Sequence, residues 1–281
     1  GRVESSQGVP GESAAVVPAR PAAQFQDQTS RKARGQTGAA VTALPTICWL
    51  PGWAGNNRIW TRPQSALDAY RHLSPDYDGV TNPGDFIDRV AACLPATPCI
   101  LVAWSLGGML ALEAAATMPV VKGLVVCGST GCFVNRHHDL GWPPAVLRRM
   151  QRSLASDPTT TIRQFIARMF ADKDRAQHFI DTTYPNGLLD DCSYNAAALD
   201  AGLQYLVDTD LSDSIGNVRC PVLWLHGIED SICPIGAGRA AADKLANCQF
   251  VELPGGHLPA FETSNALTER LVAFIRNSHN A

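Results

Sequence analysis

At 281 residues, with 46% hydrophobic and 17% charged side chains, the chain has the composition of a globular protein with room for one large core and an inserted subdomain. A fibre, a mini-protein and a wholly disordered chain are excluded. The 23 Lys and Arg against 26 Asp and Glu leave a net charge of -3, so there is no global basic field for nucleic acid, and a polyanionic partner must be met by a local patch.

Residues 1–43 are rich in Gly, Ser, Ala, Gln and Pro, contain a single aromatic (Phe25) and carry no sustained period, which predicts a disordered N-terminal segment or linker. From Leu44 the texture changes to short apolar runs alternating with helical patterns, the signature of β-α-β units around a mostly parallel sheet. Strands are expected over Thr46–Leu50, Pro98–Trp104, Val120–Cys127, Cys220–His226 and Gln249–Leu253, and helices over Phe86–Leu94, Leu106–Met118, Ile235–Leu245 and Ser264–Asn277. Between the two α/β stretches, residues 132–212 show helical patterns over Pro144–Ala155, Thr160–Phe170 and Tyr194–Val207 and almost nothing strand-like. The expected architecture is therefore an α/β core made of residues 44–131 and 213–281, carrying an all-helical cap at 132–212.

The nine cysteines, from Cys48 to Cys248, include no C-x-x-C pair and no Cys/His cluster at metal spacing, which reads as buried thiols in a reducing compartment and predicts no metal. No run approaches the roughly 18 to 20 apolar residues that span a bilayer, and no apolar signal core precedes the fold, so a cytoplasmic chain without membrane contact is expected. There is no P-loop and no G-x-G-x-x-G after a strand; no cofactor and no nucleic acid are expected, and the chain is expected to act as a monomer.

The strand PCILVAW runs directly into Ser105 and then into the helix LGGMLAL, which places a serine at a strand-to-helix turn with Gly107 and Gly108 just after it. This is the pattern of a nucleophile elbow, A-x-S-x-G here in place of G-x-S-x-G, in which small residues flank a strained, exposed hydroxyl. The plain alternative is a serine that caps a helix. A serine hydroxyl needs a base, and the base a carboxylate. LWLHGIEDSICP puts Asp230 in the loop after one later strand, with Glu229 as the rival acid, and LPGGHLPAFE puts His257 after the next. The order Ser105, Asp230, His257 is that of the α/β-hydrolases. The other histidines, His72, His137, His138, His178, His226 and His279, read as solvated or satisfied. An oxyanion hole would draw on the backbone N–H of Leu106 and on that of Trp53, whose indole would wall the acyl pocket.

Through PGWAGN, WSLGGMLA, VCGSTGCFVNRHHDLGWPPAVL, GLQYLVDTDLSDSIGNVRCPVLWLHGIEDSICP and GGHLPAFE, the chain resembles the α/β-hydrolases and, within them, the pimeloyl-acyl-carrier-protein methyl ester esterases of biotin synthesis. The resemblance implies an α/β-hydrolase fold and a serine carboxylesterase acting on a carrier-bound or small ester. It implies that Trp53, Leu106, Phe165, Ile166 and Met169 hold the acyl chain, with His257 beside the reacting ester. The chain departs from the family in having Pro51-Gly52 for His-Gly at the oxyanion loop. It also has Thr160 and Gln164 where the family places two arginines for the carrier's phosphopantetheine. In partial compensation, Arg148, Arg149, Arg152, Arg163 and Arg168 against the lone Asp157 give residues 144–170 a local charge of +4, a candidate contact for an acidic carrier protein. Ile162, Phe165, Ile166 and Met169 follow i, i+3, i+4, i+7 spacing, so one helix can turn an apolar face to the pocket and arginines to its rim; a helix with a solvated basic face is the alternative. The other readings are a general short-chain carboxylesterase or lactonase and a catalytically idle hydrolase fold acting as a ligand receptor.

Overall fold

The computed structural model describes residues 44–170, 172–258 and 265–279. The expected N-terminal segment at 1–43, the PAFE stretch at 259–262 and the first residue of the last expected helix lie outside these. Six strands form one sheet: β1 Thr46–Leu50, β2 His72–Leu73, β3 Cys99–Trp104, β4 Val121–Cys127, β5 Val222–Gly227 and β6 Cys248–Leu253. Their order is β2-β1-β3-β4-β5-β6 and every pairing is parallel. Strands β1, β3 and β5 are buried along their whole length, as parallel strands covered on both faces are, and β4 is buried but for Lys122 near its start.

The chain steps outward from β1 to β2, then returns to the other side of β1 for β3 and runs on to β6. The direction of winding therefore reverses between β1 and β3. In open parallel sheets the crevice at the carboxyl ends of such a strand pair is where ligands bind, and both the loop after β1 and Ser105 after β3 open there.

Nine helices flank or cover the sheet among the described residues: α1 Thr61–Ala66, α2 Asp85–Cys93, α3 Leu106–Thr117, α4 Pro144–Ser156, α5 Pro158–Met169, α6 Lys173–Thr183, α7 Ala196–Asp208, α8 Ile235–Ala242 and α9 Ala266–His279. Eight residues of α3 are buried, in keeping with its Ala- and Leu-rich sequence, and Pro119 stands just beyond its end. α5 begins two residues before the expected Thr160, because Asp157 accepts a hydrogen bond from the Thr160 N–H at 2.9 Å and Pro158 occupies the first turn. α6 was not expected from the sequence. It is capped by Asp172 and buries Ala176, Phe179, Ile180 and Thr183.

Helices α4–α7 all fall between β4 and β5. At the base of this stretch Leu211 N–H donates to Gly131 O at 2.8 Å, and Cys132 bridges Asp210. No helix among the described residues is long and apolar enough to cross a membrane.

Candidate active site

Ser105 has φ 57° and ψ -122°, a backbone conformation a non-glycine residue holds only against a cost of about 1–3 kcal/mol. Its surroundings hold it there: the Ser105 N–H donates to Cys127 O at 3.0 Å and the Ser129 hydroxyl donates to Ser105 O at 2.7 Å. The turn is possible only with glycine two residues on. A Cβ on Gly107 would lie 2.5 Å from the carbonyl oxygens of Leu50 and Pro51. Ala103, two residues before, is buried within β3, so the extra methyl group relative to the usual glycine is accommodated.

The structure brings Ser105, His257 and Asp230 into one hydrogen-bonded file. His257 Nε2 lies 2.9 Å from Ser105 Oγ, and His257 Nδ1 lies 2.9 and 3.0 Å from the two Asp230 oxygens. Asp230 Oδ1 also accepts the N–H groups of Ile232 and Cys233, each at 2.8 Å. Glu229, the rival acid, is exposed and its backbone N–H goes to Gly255 O. With a carboxylate beside Nδ1, the imidazole carries its proton there and presents the Nε2 lone pair to the serine. Such an arrangement can deprotonate a hydroxyl, hold the resulting imidazolium against an anion and return the proton to a leaving group.

The backbone N–H groups of Leu106, next to the serine in sequence, and of Trp53, in the loop after β1, have no acceptor among the described residues. The loop bearing Trp53 is held from behind. Tyr184 hydroxyl donates to Ala54 O at 2.9 Å, and Asn56 Nδ2 donates to Thr183 O and Asp191 O. The Trp53 indole is buried, donates to Leu199 O at 2.8 Å and meets Phe165 edge to face at 5.0 Å. The ring is therefore a packed wall between this loop and helices α5 and α7. Ile166 and Met169 are buried beside Phe165 on α5.

The end of α5 is tied to both loops of the site. Met169 O accepts the His257 N–H at 3.2 Å, and Arg168 O accepts the Ser231 hydroxyl at 2.8 Å. Arg148, Arg149, Arg152, Arg163 and Arg168 are all exposed. Arg149 and Arg168 line one open cleft of about 430 Å³ between α4 and α5, together with Trp142, Met150, Gln164 and Phe165. The Arg168 guanidinium stands 5.7 Å over the Trp142 ring, while Arg163 turns away to Gln177.

Three contributors were not singled out from the sequence. Ser129 and Tyr184 hold the elbow and the Trp53 loop, and His226 is hydrogen-bonded beside Asp230. Of the other described histidines, His72 is satisfied between Trp49 and Leu67 O, as expected, and His138 is exposed beside Asp139.

Gly128, at the end of β4, has φ 47°, and a Cβ there would lie 2.7 Å from His257 O and 3.3 Å from Asp230 Oδ2. Replacement by alanine is expected to cost about 1–2 kcal/mol of left-handed strain and to push the base loop away from the serine. The melting temperature should fall by about 2–8 °C and esterase turnover should fall with it; a thermal melt paired with initial rates reads both.

The chain belongs to the alpha/beta hydrolase family, whose model matches residues 49–270, and it is a carboxylic ester hydrolase. Its relatives include the pimeloyl-[acyl-carrier protein] methyl ester esterases, as the sequence motifs led one to expect. That of Xylella fastidiosa is 35% identical, the match covering 82% of this chain and 95% of the relative. That of Xanthomonas campestris pv. campestris is 34% identical with the same coverage, and that of Aromatoleum aromaticum 29% with 76% and 92% covered. Among solved structures, an esterase from Exiguobacterium antarcticum superposes with a TM-score of 0.70 at 19% identity, covering 83% of this chain and 92% of that one. An enol-lactonase from Burkholderia xenovorans gives 0.70 at 17%, covering 85% and 94%. At these identities the two structures speak for the fold alone.

Proposed function

We propose that the chain hydrolyses the methyl ester of pimeloyl-acyl carrier protein in biotin synthesis, through an acyl-enzyme on Ser105. The observation that carries the chemistry is the file from Asp230 through His257 to Ser105, and the backbone N–H groups of Leu106 and Trp53, which have no acceptor among the described residues, are the candidates for the oxyanion hole. The substrate comes from the relatives named for that reaction.

In this reading His257 Nε2 takes the Ser105 proton as Oγ attacks the ester carbonyl carbon. The developing oxyanion is met by the Leu106 and Trp53 N–H groups. As the carbon–oxygen bond to the methoxy group breaks, the imidazolium gives that oxygen its proton and methanol leaves. Water then attacks the acyl-enzyme, with His257 as base again, and the free acid departs. Asp230 holds the imidazole in the required tautomer throughout and offsets its charge.

Residues 132–212 act as a cap over the core at 44–131 and 213–281. Phe165, Ile166 and Met169 line the acyl path against Trp53 and Leu106, while the arginines face the carrier protein. The cleft between α4 and α5, with arginines at its rim and Trp142, Met150 and Phe165 inside, supports that assignment: acyl carrier proteins are acidic, and their linker carries a phosphate above an apolar chain. It offsets the loss of arginine at Thr160 and Gln164.

The test is a panel of methyl esters of increasing chain length, free and carrier-bound, assayed with the parent enzyme and with Arg148, Arg149 and Arg152 reversed to Glu. The reversal is expected to lower kcat/KM for the carrier-bound ester by about tenfold or more and to leave a small free ester within about twofold, because rim charges act on encounter and the reacting groups are untouched. Raising salt to about 0.5 M should weaken the parent's carrier preference in the same sense. Equal turnover of free and carrier-bound esters, insensitive to the reversal, would make the chain a general short-chain carboxylesterase.

A further inference from the structure

His226 has no part in the steps above, yet it is fully buried, with Nε2 3.5 Å from the acid's Oδ2. Trp224 and His226 are two residues apart on β5 and so share one face of the sheet. The Trp224 indole N–H donates to His226 Nδ1 at 3.1 Å. Because that donor occupies the Nδ1 lone pair, the ring proton must be on Nε2, which lies 2.8 Å from Cys233 O and 3.5 Å from Asp230 Oδ2. The single Nε2–H thus bonds to the Cys233 carbonyl and lies 3.5 Å from the same carboxylate oxygen that His257 Nδ1 approaches at 2.9 Å.

The ring cannot turn out of this position. Phe250 stacks on it at 5.9 Å, and a side chain on Gly238 of α8 would run into it. The ionisable groups around it are Asp230 and Cys233 on its own loop, His257 from the loop after β6, Arg239 on α8 and, opposite in register on β6, Glu252, which pairs with Arg239. Burial holds the imidazole below the ordinary histidine range, against the pull of Asp230.

We propose that His226 is a positioning residue for the Asp230–His257 pair: a neutral imidazole, locked as its Nε2–H tautomer by the Trp224 indole, whose N–H stands between Cys233 O and Asp230 Oδ2 and keeps the carboxylate turned toward His257. Its neutrality is the functional point. A second imidazolium beside Asp230 would compete with His257 for the carboxylate and weaken the base, whereas a neutral N–H solvates the carboxylate without adding charge. The proposal rests on the assignment of Asp230, His257 and Ser105 as a catalytic file.

The experiment is ¹⁵N NMR of the histidine rings in the full chain, combined with pH profiles of three variants. In the parent, the His226 ring is expected to stay neutral and Nε2-protonated from about pH 8 to about pH 5, across the range where an ordinary histidine titrates. Titration with a midpoint near the free value of about 6.5, or a proton on Nδ1, overturns the proposal. His226→Phe removes the donor. It is expected to lower kcat by about 10- to 100-fold with KM nearly unchanged, the size expected for a lost hydrogen bond to a charged group. It should also move the acid limb of kcat/KM to higher pH, since a less well solvated Asp230 holds the His257 proton more tightly.

His226→Gln, which keeps an N–H near the Nε2 position, should restore both readouts most of the way, which a merely space-filling role would not produce. An unchanged kcat and acid limb in His226→Phe would sink the idea. If that variant does not fold, Trp224→Phe decides: with Nδ1 freed the ring is no longer confined to the Nε2–H tautomer and kcat should fall, and a tautomer and kcat that both stay at the parent's values overturn the proposal. Activity surviving Ser105→Ala would remove the serine mechanism but leave the state of the His226 ring as measured, so the two failures are distinguishable.

Discussion

Ser105→Ala is expected to lower kcat/KM for a methyl ester by more than about 10⁴-fold, leaving only the residual rate that binding and the oxyanion donors supply. The fold should survive. The side-chain contact of Ser105 is to His257, and the backbone bonds from Ser129 and to Cys127 that hold the turn remain after truncation. Alanine also keeps the same Cβ at the same φ, so the backbone strain is neither added to nor relieved. Initial rates and a melt on the same preparation measure both halves, and a fluorophosphonate mass adduct should form on Ser105 in the parent and be lost in the variant. Turnover within about tenfold of the parent would take this serine out of the chemistry.

Asp230→Asn should be nearly as severe, by about 10⁴-fold, for a reason fixed by the acid's own hydrogen bonds. Ile232 and Cys233 both point N–H groups at Oδ1, so the carbonyl oxygen of an asparagine must occupy that place. Its NH₂ is then turned toward His257 Nδ1, which can answer only as an acceptor. The imidazole is forced to carry its proton on Nε2 and can no longer take one from Ser105. Glu229→Gln is the control: that side chain is exposed and apart from the file, so its loss should change kcat/KM by less than about twofold. Assaying the two variants side by side assigns the acid. Collapse in Glu229→Gln with Asp230→Asn nearly intact would reverse the assignment.

Much of the site is legible in the chain because its parts are local. CILVAW followed by S-L-G-G carries the strand, the turn and the helix within a dozen residues, and the acid and base each follow an apolar run at the expected place. What escapes is set by long-range packing. α6 has its buried residues at helical spacing, but two of the four are Ala176 and Thr183, and the polar run Lys173, Asp174, Arg175 before them with Gln177 after Ala176 masks the stripe. β2 is two residues long, too short for a period, and exists because it pairs with β1. His226 reads as the end of a strand; only the fold puts its ring between Trp224 and Asp230. The supporting bonds of Tyr184 and Asn56 cross more than a hundred residues and leave no local trace.

The tie between the last turn of α5 and the loops of Asp230 and His257 has a cost for the substrate. Any opening that lifts the end of this helix must give up the bonds from the His257 N–H to Met169 O and from the Ser231 hydroxyl to Arg168 O. At about 0.5–1.5 kcal/mol net for each bond, losing the two bonds alone disfavours such an open form by about 5- to 150-fold, before the buried face of α5 is counted. A substrate that needs it binds more weakly than its contacts alone would give, by at least that factor. The same opening would free the backbone that carries His257 and the loop of Asp230 from one of their anchors each.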